Sequence, residues 1–144
     1  MSKASDYMEN ALMNSFFGKT DSPNFGTISG RPTLYVALCT VSVTDSMTGT
    51  TITEPTGGEY NEYARQSTVP ADWDPSSGGI VDNASAIVFP KLLTGTGCTI
   101  IDVAVCDSAS GGNLLFYGTL NTSMPLVVGS TPEFEAGDFD CQFS

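Results

Sequence analysis

Short apolar runs separated by polar turns dominate the chain and predict β-strands. The clearest are residues 33–39 and 99–107, where apolar side chains occupy both alternating sets of positions. A strand with apolar residues on both faces is covered on both sides, so these two are predicted to be central strands of packed sheets. Turn signals recur about every 8–12 residues, which is typical of an antiparallel sandwich. Further strands are predicted at 63–69, 84–89, 113–120, 124–128, 131–134 and 139–143.

The turns and loops indicate how these strands connect. Gly111-Gly112 is a turn signal, so strands 99–107 and 113–120 are predicted to form a hairpin across residues 108–112. Residues 19–32, 42–62 and 70–82 are rich in Gly, Pro and polar residues and are predicted to be loops. The sequence shows no repeat or linker. Residues 19–144 are therefore predicted to form one antiparallel β-sandwich domain of all-β class, Ig-like or jelly-roll-like.

Residues 1–18 predict one short amphipathic α-helix ahead of the strands. Ser5 is a suitable N-cap, and Gly18 can end the helix in a left-handed conformation. Apolar side chains recur every four residues along one side of this helix. This stripe consists of Tyr7, Met8, Leu12 and Phe16. Two interpretations stay open: the helix packs on its own sheet, or it is an arm whose stripe docks on a neighbouring subunit.

Charge and composition exclude several classes of function. Five basic and sixteen acidic residues give a net charge of −11 at pH 7, with no basic patch for nucleic acid or anionic lipid. No apolar run is long enough to span a membrane. Histidine is absent, which removes Ser-His-Asp and Cys-His catalysis and histidine-ligated metals. We predict no enzymatic activity, no metal and no cofactor.

Five stretches, in order along the chain, resemble a group of small virion proteins of tailed bacteriophages. These proteins are described as tail-fibre-like, and similar β-sandwiches serve as capsid decoration or head-fibre proteins. The helix ahead of the first strand has a counterpart in the group, whereas residues 61–63 look like an insertion. The stretches are Leu34–Thr40, Gly57–Tyr60 with Tyr63–Gln66, Ala86–Pro90, Val103–Asp107 with Gly111–Gly118, and Phe134–Phe139.

The resemblance implies a noncatalytic structural component of the virion, assembled in the host cytoplasm. It would decorate the capsid or form part of a tail or tail-fibre assembly through contacts between subunits. The expected partners are other copies of the chain, as a trimer or higher closed assembly, and other virion proteins such as the major capsid or tail proteins. The alternative function is a carbohydrate-binding module that attaches the virion to host surface glycans.

Three aromatic residues are candidates for partner contacts. Tyr60, Tyr63 and Trp73 lie in or beside predicted loops, near carboxylates. Exposed rings of this kind stack on sugars or anchor protein interfaces, where Trp and Tyr are enriched. Ordinary packing within the loops is the third interpretation.

Two charged residues interrupt predicted strands. Arg65 is expected to form a structural ion pair with a carboxylate. Asp102 stands within an apolar strand, which suggests an interface, a sheet edge or a pairing with Arg65.

Four cysteines leave the redox state open. No Cys-x-x-Cys pair exists and no histidine is available, which argues against zinc. The thiols are either buried and reduced, or they form disulfides after the particle leaves the reducing cytosol. Cys98 and Cys141 lie near strand ends, are expected to be the more accessible, and are the candidates for a bridge. The other two, Cys39 and Cys106, are expected to pack within the structure.

Overall fold

A computed structural model describes residues 4–20, 25–26 and 32–143, so most of the predicted loop 19–32 lies outside the described residues. The described chain contains one α-helix, one 3₁₀ turn at Pro70–Asp72 and antiparallel strands. The predicted class, all-β with one N-terminal helix, is confirmed. The elements are α1 Asp6–Phe17, β1 Leu34–Cys39, β2 Gln66–Thr68, β3 Ile80–Asp82, β4 Ile87–Val88, β5 Cys98–Cys106, β6 Leu114–Leu126, β7 Glu133–Phe134 and β8 Asp140–Gln142.

The helix α1 begins and ends where its capping residues predict. The hydroxyl of Ser5 accepts a hydrogen bond from the backbone N–H of Met8 at 3.4 Å. Gly18 adopts φ +75°, a left-handed conformation that costs glycine little, and its N–H is directed back to the helix carbonyls. In the described part of the chain, no helix has the length and apolar character that spanning a membrane requires.

The largest sheet has the strand order β2-β1-β5-β6. Strand β1 pairs antiparallel with β5 from Tyr35 opposite Cys106 to Cys39 opposite Asp102. Both strands are interior, as the continuous apolar runs predict, and β5 forms the expected hairpin with β6. One face of β1 and β5 packs against the loop after β1. That cluster comprises Ala37, Cys39, Val43, Ile52, Ala104 and Cys106.

Two elements differ from the prediction. The segments predicted as strands 113–120 and 124–128 form one strand, β6, in which residues 120–123 bulge out of register opposite Ile101. A polar stretch therefore interrupts the pairing without ending the strand. The second difference is β3, which lies inside the predicted loop 70–82 and pairs with β8. The remaining two-stranded sheet pairs β4 with β7.

The chain divides into two compact units, each built from segments that are distant in sequence. The first unit contains residues 1–31, 69–87 and 134–144, and hence α1, β3 and β8. The second contains residues 32–68 and 88–133, and hence the four-stranded sheet. The helix therefore belongs to the same unit as the C-terminal strand.

Candidate interaction surfaces

The helix α1 buries one side within the first unit and exposes another. Met13 and Phe17 are fully buried, and the ring of Phe17 lies 4.8 Å from that of Trp73, edge to face. The amide oxygen of Asn14 accepts a hydrogen bond from Ser76 N–H at 2.6 Å, and that of Asn10 accepts one from Gly79 N–H at 2.7 Å. The helix is thus held to its own unit by aromatic packing and by side-chain amides.

The apolar stripe predicted from the sequence is the exposed side of this helix. Tyr7, Met8 and Leu12 are 63%, 42% and 45% exposed, and Phe16 is half-buried. Three apolar side chains on one helix face, each about half accessible, form a surface that a partner could cover. Both interpretations of the helix therefore find support, each on a different face.

Two of the three aromatic candidates are buried. Trp73, in the first unit, is 1% exposed and contacts the rings of Phe17 and Phe139. Tyr60, in the second unit, is also 1% exposed, and its hydroxyl donates to the carbonyl of Pro90. Neither ring presents a face to a sugar, so the structure favours ordinary packing for these two residues.

Tyr63 is partly exposed, but its polar end is occupied. Its hydroxyl donates to Glu54 Oε1 at 2.5 Å and accepts from Leu38 N–H at 3.0 Å. Its ring stacks on that of Phe89, with centroids 6.2 Å apart. Burial, followed by the Glu54 carboxylate, raises the pKa of Tyr63 well above its usual range. All three rings thus support the fold, and none favours the carbohydrate-binding alternative.

Arg65 forms the ion pair that the sequence predicts, and its partner is Glu54. The guanidinium donates from Nε to Glu54 Oε1 at 3.0 Å and from Nη2 to Oε2 at 2.7 Å, a bidentate arrangement. Its other donors reach the carbonyls of Gly49, Ser108 and Gly111 at 2.7–2.9 Å. One side chain therefore ties the β5–β6 turn to the loop that follows β1. The hydrogen bonds to the Glu54 carboxylate raise the pKa of Arg65, so this charge is fixed.

The backbone around this ion pair is closely packed. A Cβ atom on Gly49 would lie 2.1 Å from the carbonyl oxygen of Gly111, so only glycine fits there. At the start of the same turn, Asp107 accepts from the backbone and the side-chain amides of Asn113, each at 2.7 Å. These bonds, the side-chain bond first, lower the pKa of Asp107. We call Arg65, Glu54 and the loops they join the arginine clamp.

Asp102 is neither at a sheet edge nor paired with Arg65, so those two expectations are wrong. It lies on the interior strand β5 and is 1% exposed, which also removes it from any surface contact. Its Oδ2 accepts from Val43 N–H at 2.7 Å. Its Oδ1 has no hydrogen-bond partner among the described residues. The carboxylate thus anchors the loop after β1 while half of its bonding capacity is unused.

All four thiols are free in the structure. Burial raises the pKa of Cys39 to about 12, and burial also raises the pKa values of Cys106 and Cys141. Cys141 is 2% exposed, so the expectation that it is accessible is wrong, whereas Cys98 is half-buried. A bridge formed by Cys98 or Cys141 after release stays a prediction. Among the described residues, no group of three or more Cys, Asp or Glu side chains is placed to hold a metal ion.

Sequence reasoning missed one surface, which lies on strand β6. From Ser108 to Pro132 the chain carries no charged side chain, the longest such stretch in the sequence. The stretch includes all of β6 and the turn after it, where Val127 and Val128 are 65% and 58% exposed. The absence of charge across this stretch was visible in the sequence and is the signal that could have identified it.

The sequence profile of one protein family matches the chain across residues 3–142. That family is described as Podophage GP4 fiber I protein gp80. No curated protein matches the chain significantly. Because the profile covers almost the whole chain, the chain belongs to this family, and the resemblance to structural proteins of phage fibres is confirmed.

Proposed function

We propose that this member of the fibre I family is a noncatalytic subunit of a fibre assembly on the virion of a tailed bacteriophage. The observation that carries the proposal is the family match over residues 3–142. Between the two locations that the sequence left open, the family description favours a fibre over decoration of the capsid surface. The chain would join the particle during assembly in the host cytoplasm.

The physical features of the described chain support a structural role. The arginine clamp and the aromatic packing around Trp73 hold loops and segments in fixed positions. Surfaces held in fixed positions within each unit contribute to an assembly through repeated contacts, and several weak contacts add to a strong attachment when the copies are linked.

The location on the particle tests the proposal. Purified virions are labelled with antibodies to this chain, and the particles are reconstructed with and without the bound label. We expect the label on fibres, at several copies per fibre. Label spread over the capsid surface would contradict the fibre assignment, and absence from purified virions would contradict the virion role.

We further propose that the functional form is a closed assembly of identical copies, a trimer or higher. A homo-oligomer is the common architecture for repeated structural proteins. Sedimentation of the purified chain over a range of concentrations tests this directly. A monomeric mass at every concentration in moderate salt would contradict it.

The exposed stripe of α1 is proposed as the contact with another virion protein, such as a tail or capsid protein. Tyr7, Met8 and Leu12 support this because they are exposed while the opposite side of the helix is buried. Deleting the helix is a poor test, since Met13 and Phe17 contribute to the interior of the first unit. Substitutions confined to the exposed side separate docking from folding.

The test compares M8Q/L12Q with the control V41Q, which removes an apolar side chain that is 49% exposed in the second unit. Each purified variant is added to particles that lack the protein, and incorporation is measured by co-sedimentation. We expect M8Q/L12Q to fold normally and to lose incorporation, while V41Q incorporates like the wild type. Equal incorporation of all three proteins would contradict the docking role of the stripe.

A further inference from the structure

Three exposed apolar side chains of the second unit lie close together. Leu93 is 61% exposed, and Val127 and Val128 are 65% and 58% exposed, the highest values among the large apolar residues of this unit. The backbone of Leu92, next to Leu93, forms two hydrogen bonds of 2.8 Å with the turn of residues 127–130. The two segments are therefore neighbours, and we call Leu93, Val127 and Val128 the apolar patch.

A tight turn holds the two valines of this patch in place. Val127 N–H donates to Ser130 Oγ at 3.0 Å, and Ser130 N–H donates to the Val127 carbonyl at 2.9 Å. Gly129 follows Val128 with φ +101°, in the left-handed region that the third position of such a turn favours. Small and polar residues dominate turns, so two exposed valines are unusual for a turn that faces only water. Side chains fixed in this way lose little conformational freedom when a partner covers them.

Two charged side chains lie beside the apolar patch. Glu62 Oε2 accepts from Leu93 N–H at 2.9 Å and from Thr94 N–H at 3.2 Å. The hydrogen bond from Leu93, ahead of the other contributions, lowers the pKa of Glu62, so this group is charged at neutral pH. Lys91 and Leu93 are exposed, whereas Leu92 between them is fully buried. Side chains alternate along an extended segment, so Lys91 shares the outer face of Leu93.

The ammonium of Lys91 has no partner within the described chain. The structure describes two other cations, Arg65 and Lys19, and each has an acceptor, which is Glu54 for the first and a backbone carbonyl for the second. No described carboxylate forms an ion pair with Lys91, Glu62 included. An apolar surface with an unpaired cation is complementary to an apolar surface that carries a carboxylate. This patch has both kinds of charge beside it and is therefore complementary to a second copy of itself.

The distribution of acidic residues favours the same partner. Copies that each carry a net charge of −11 repel one another, so they associate best through surfaces with few carboxylates. Lys91 is the only charged residue between Asp82 and Asp102, and none occurs between Asp107 and Glu133. The two segments that form the patch therefore contribute no negative charge to a contact between copies.

We propose that the apolar patch is the contact between identical copies of this chain. Leu93, Val127 and Val128 of neighbouring copies pack together, and Lys91 of each copy forms an ion pair with Glu62 of the next. The apolar side chains supply the centre of the interface, and the charges at its rim fix its orientation. Because each copy offers both charges, the contact can repeat around a symmetry axis and close. The proposal rests on the proposed function in that the protein works as an assembly of identical copies, and it adds which residues join them.

The apolar part of the contact is tested with L93Q/V128Q, which leaves the net charge unchanged. We expect self-association to weaken about tenfold or more, because residues at the centre of an interface carry most of its binding energy. The matched control is V41Q/Y117Q, whose residues lie in the same unit outside the patch and are 49% and 47% exposed. This control should associate like the wild type. Sedimentation over a range of concentrations measures association, and circular dichroism with thermal unfolding verifies that each variant folds.

Charge reversal tests the ion pair between copies. K91E and E62K each place like charges opposite one another, so each should associate about fivefold more weakly than the wild type. If overall repulsion alone governed association, E62K would associate more strongly, since it reduces the net negative charge by two. K91E/E62K has the wild-type net charge and should recover association. An equimolar mixture of K91E and E62K should also associate more strongly than either variant alone, because opposite charges then meet between unlike copies.

Two sets of results would overturn the proposal, and they differ in what else they overturn. If the wild type assembles and L93Q/V128Q assembles equally well, the patch is not the contact, while the closed assembly stands. Since L93Q/V128Q leaves Glu62 unchanged, this result decides the matter even if E62K fails to fold. A wild type that is monomeric at every concentration overturns the patch and the closed assembly together, and a fibre location on the virion would still be tested separately.

Discussion

The two compact units bury polar groups of different kinds. In the first unit the fully buried polar side chains include Asn14 and Asn83, which are neutral amides. In the second unit the buried polar side chains include Arg65 and Asp102, which are a basic and an acidic group. An amide both donates and accepts, so one side chain can satisfy backbone groups of either polarity. A guanidinium only donates hydrogen bonds, and a carboxylate only accepts them.

The difference follows from how the backbone N–H and C=O groups of each unit find hydrogen-bond partners. The first unit joins three distant segments, and its paired strands β3 and β8 have three residues each, so side chains must complete much of the bonding. Asn83 donates to the carbonyls of Ser85 and Glu135 and accepts from the N–H groups of Gly137 and Phe139, at 2.8–3.1 Å. In the second unit the long β5–β6 ladder pairs the backbone groups of the strands. The side chains of Arg65 and Asp102 bond instead to backbone groups of the loops beyond the strands.

The largest effect is expected from breaking the arginine clamp with R65M. The substitution leaves the Glu54 carboxylate and three carbonyls without their donor. Removal of one partner from a buried ion pair costs about 3–5 kcal/mol of unfolding free energy. Urea unfolding measures the loss, and R65K should recover only part of it because an ammonium lacks the planar fork that bonds Glu54 twice.

The control for R65M is K91M, which removes a cation from an exposed position of the same unit. Since exposed single charges contribute little, K91M should change the unfolding free energy by less than about 1 kcal/mol. Equal effects of R65M and K91M would contradict the structural role of the clamp.

A somewhat smaller loss is expected in the first unit from N83A. Each buried group that loses its partner costs about 1–3 kcal/mol, and water entering the site offsets part of the sum. We expect a net loss of about 3 kcal/mol. Because Cys141 is buried in the same unit, its thiol should react faster with a thiol reagent in N83A than in the wild type.

N121A is the matched control for N83A, since Asn121 is an exposed amide on β6. The thiol of Cys141 should keep its wild-type rate in N121A. If labelling of Cys141 is unchanged in N83A as well, the amide does not hold the first unit together.

Asp102 allows a smaller and more selective test in the second unit. D102A leaves Val43 N–H without an acceptor and should cost about 1–3 kcal/mol. D102N retains an acceptor for Val43 and replaces a buried carboxyl group whose Oδ1 has no described partner, so its cost should be smaller than that of D102A. Equilibrium unfolding of the two variants gives the difference, and a greater loss in D102N than in D102A would contradict the role of Asp102 as the acceptor for Val43.

The sequence predicted best those elements whose signal is local. Strands β1 and β5 were correct because continuous apolar runs identify interior strands, and α1 was correct because its capping residues mark both ends. Strand β3 was missed because three residues after Gly78-Gly79 carry too little pattern to distinguish a strand from a loop. The bulge in β6 was taken as a break because residues 121–123 are polar, as turns are.

The candidate surfaces were predicted less well because they depend on distant partners. Trp73 is buried by contacts with Phe17 and Phe139, which lie more than fifty residues away along the chain. The residues next to Trp73 in the sequence therefore do not predict its burial. The stripe of α1 was identified correctly as apolar, but which side of the helix is buried was decided by contacts with residues 76–82. The sequence predicted that Arg65 pairs with a carboxylate, but it did not identify Glu54 as the partner, because that choice depends on how the loop after β1 folds back.

The smallest effect concerns two like charges that face each other in the first unit. Asp82 lies opposite Asp140 in the β3–β8 register. Partial burial, followed by the carboxylates of Asp140 and Asp74, raises the pKa of Asp82. A raised pKa means that the folded protein binds a proton more readily than the unfolded chain. Stability should therefore fall as the pH rises from below the unfolded pKa through the raised one, and the penalty is complete above it.

D140N removes the opposing charge, so we expect it to stabilise the protein at pH 7. Directly opposed like charges cost about 0.2–1 kcal/mol, and solvent screening at this accessible site favours the lower end. Because Asp82 is protonated in both states at low pH, the gain should disappear as the pH falls below the usual range of an aspartate. D138N removes the same charge from an exposed position of the same unit that is not opposite Asp82, and it should change the unfolding free energy less than D140N does at pH 7. A gain from D140N that persists unchanged at low pH would mean that repulsion between the two carboxylates is not its cause.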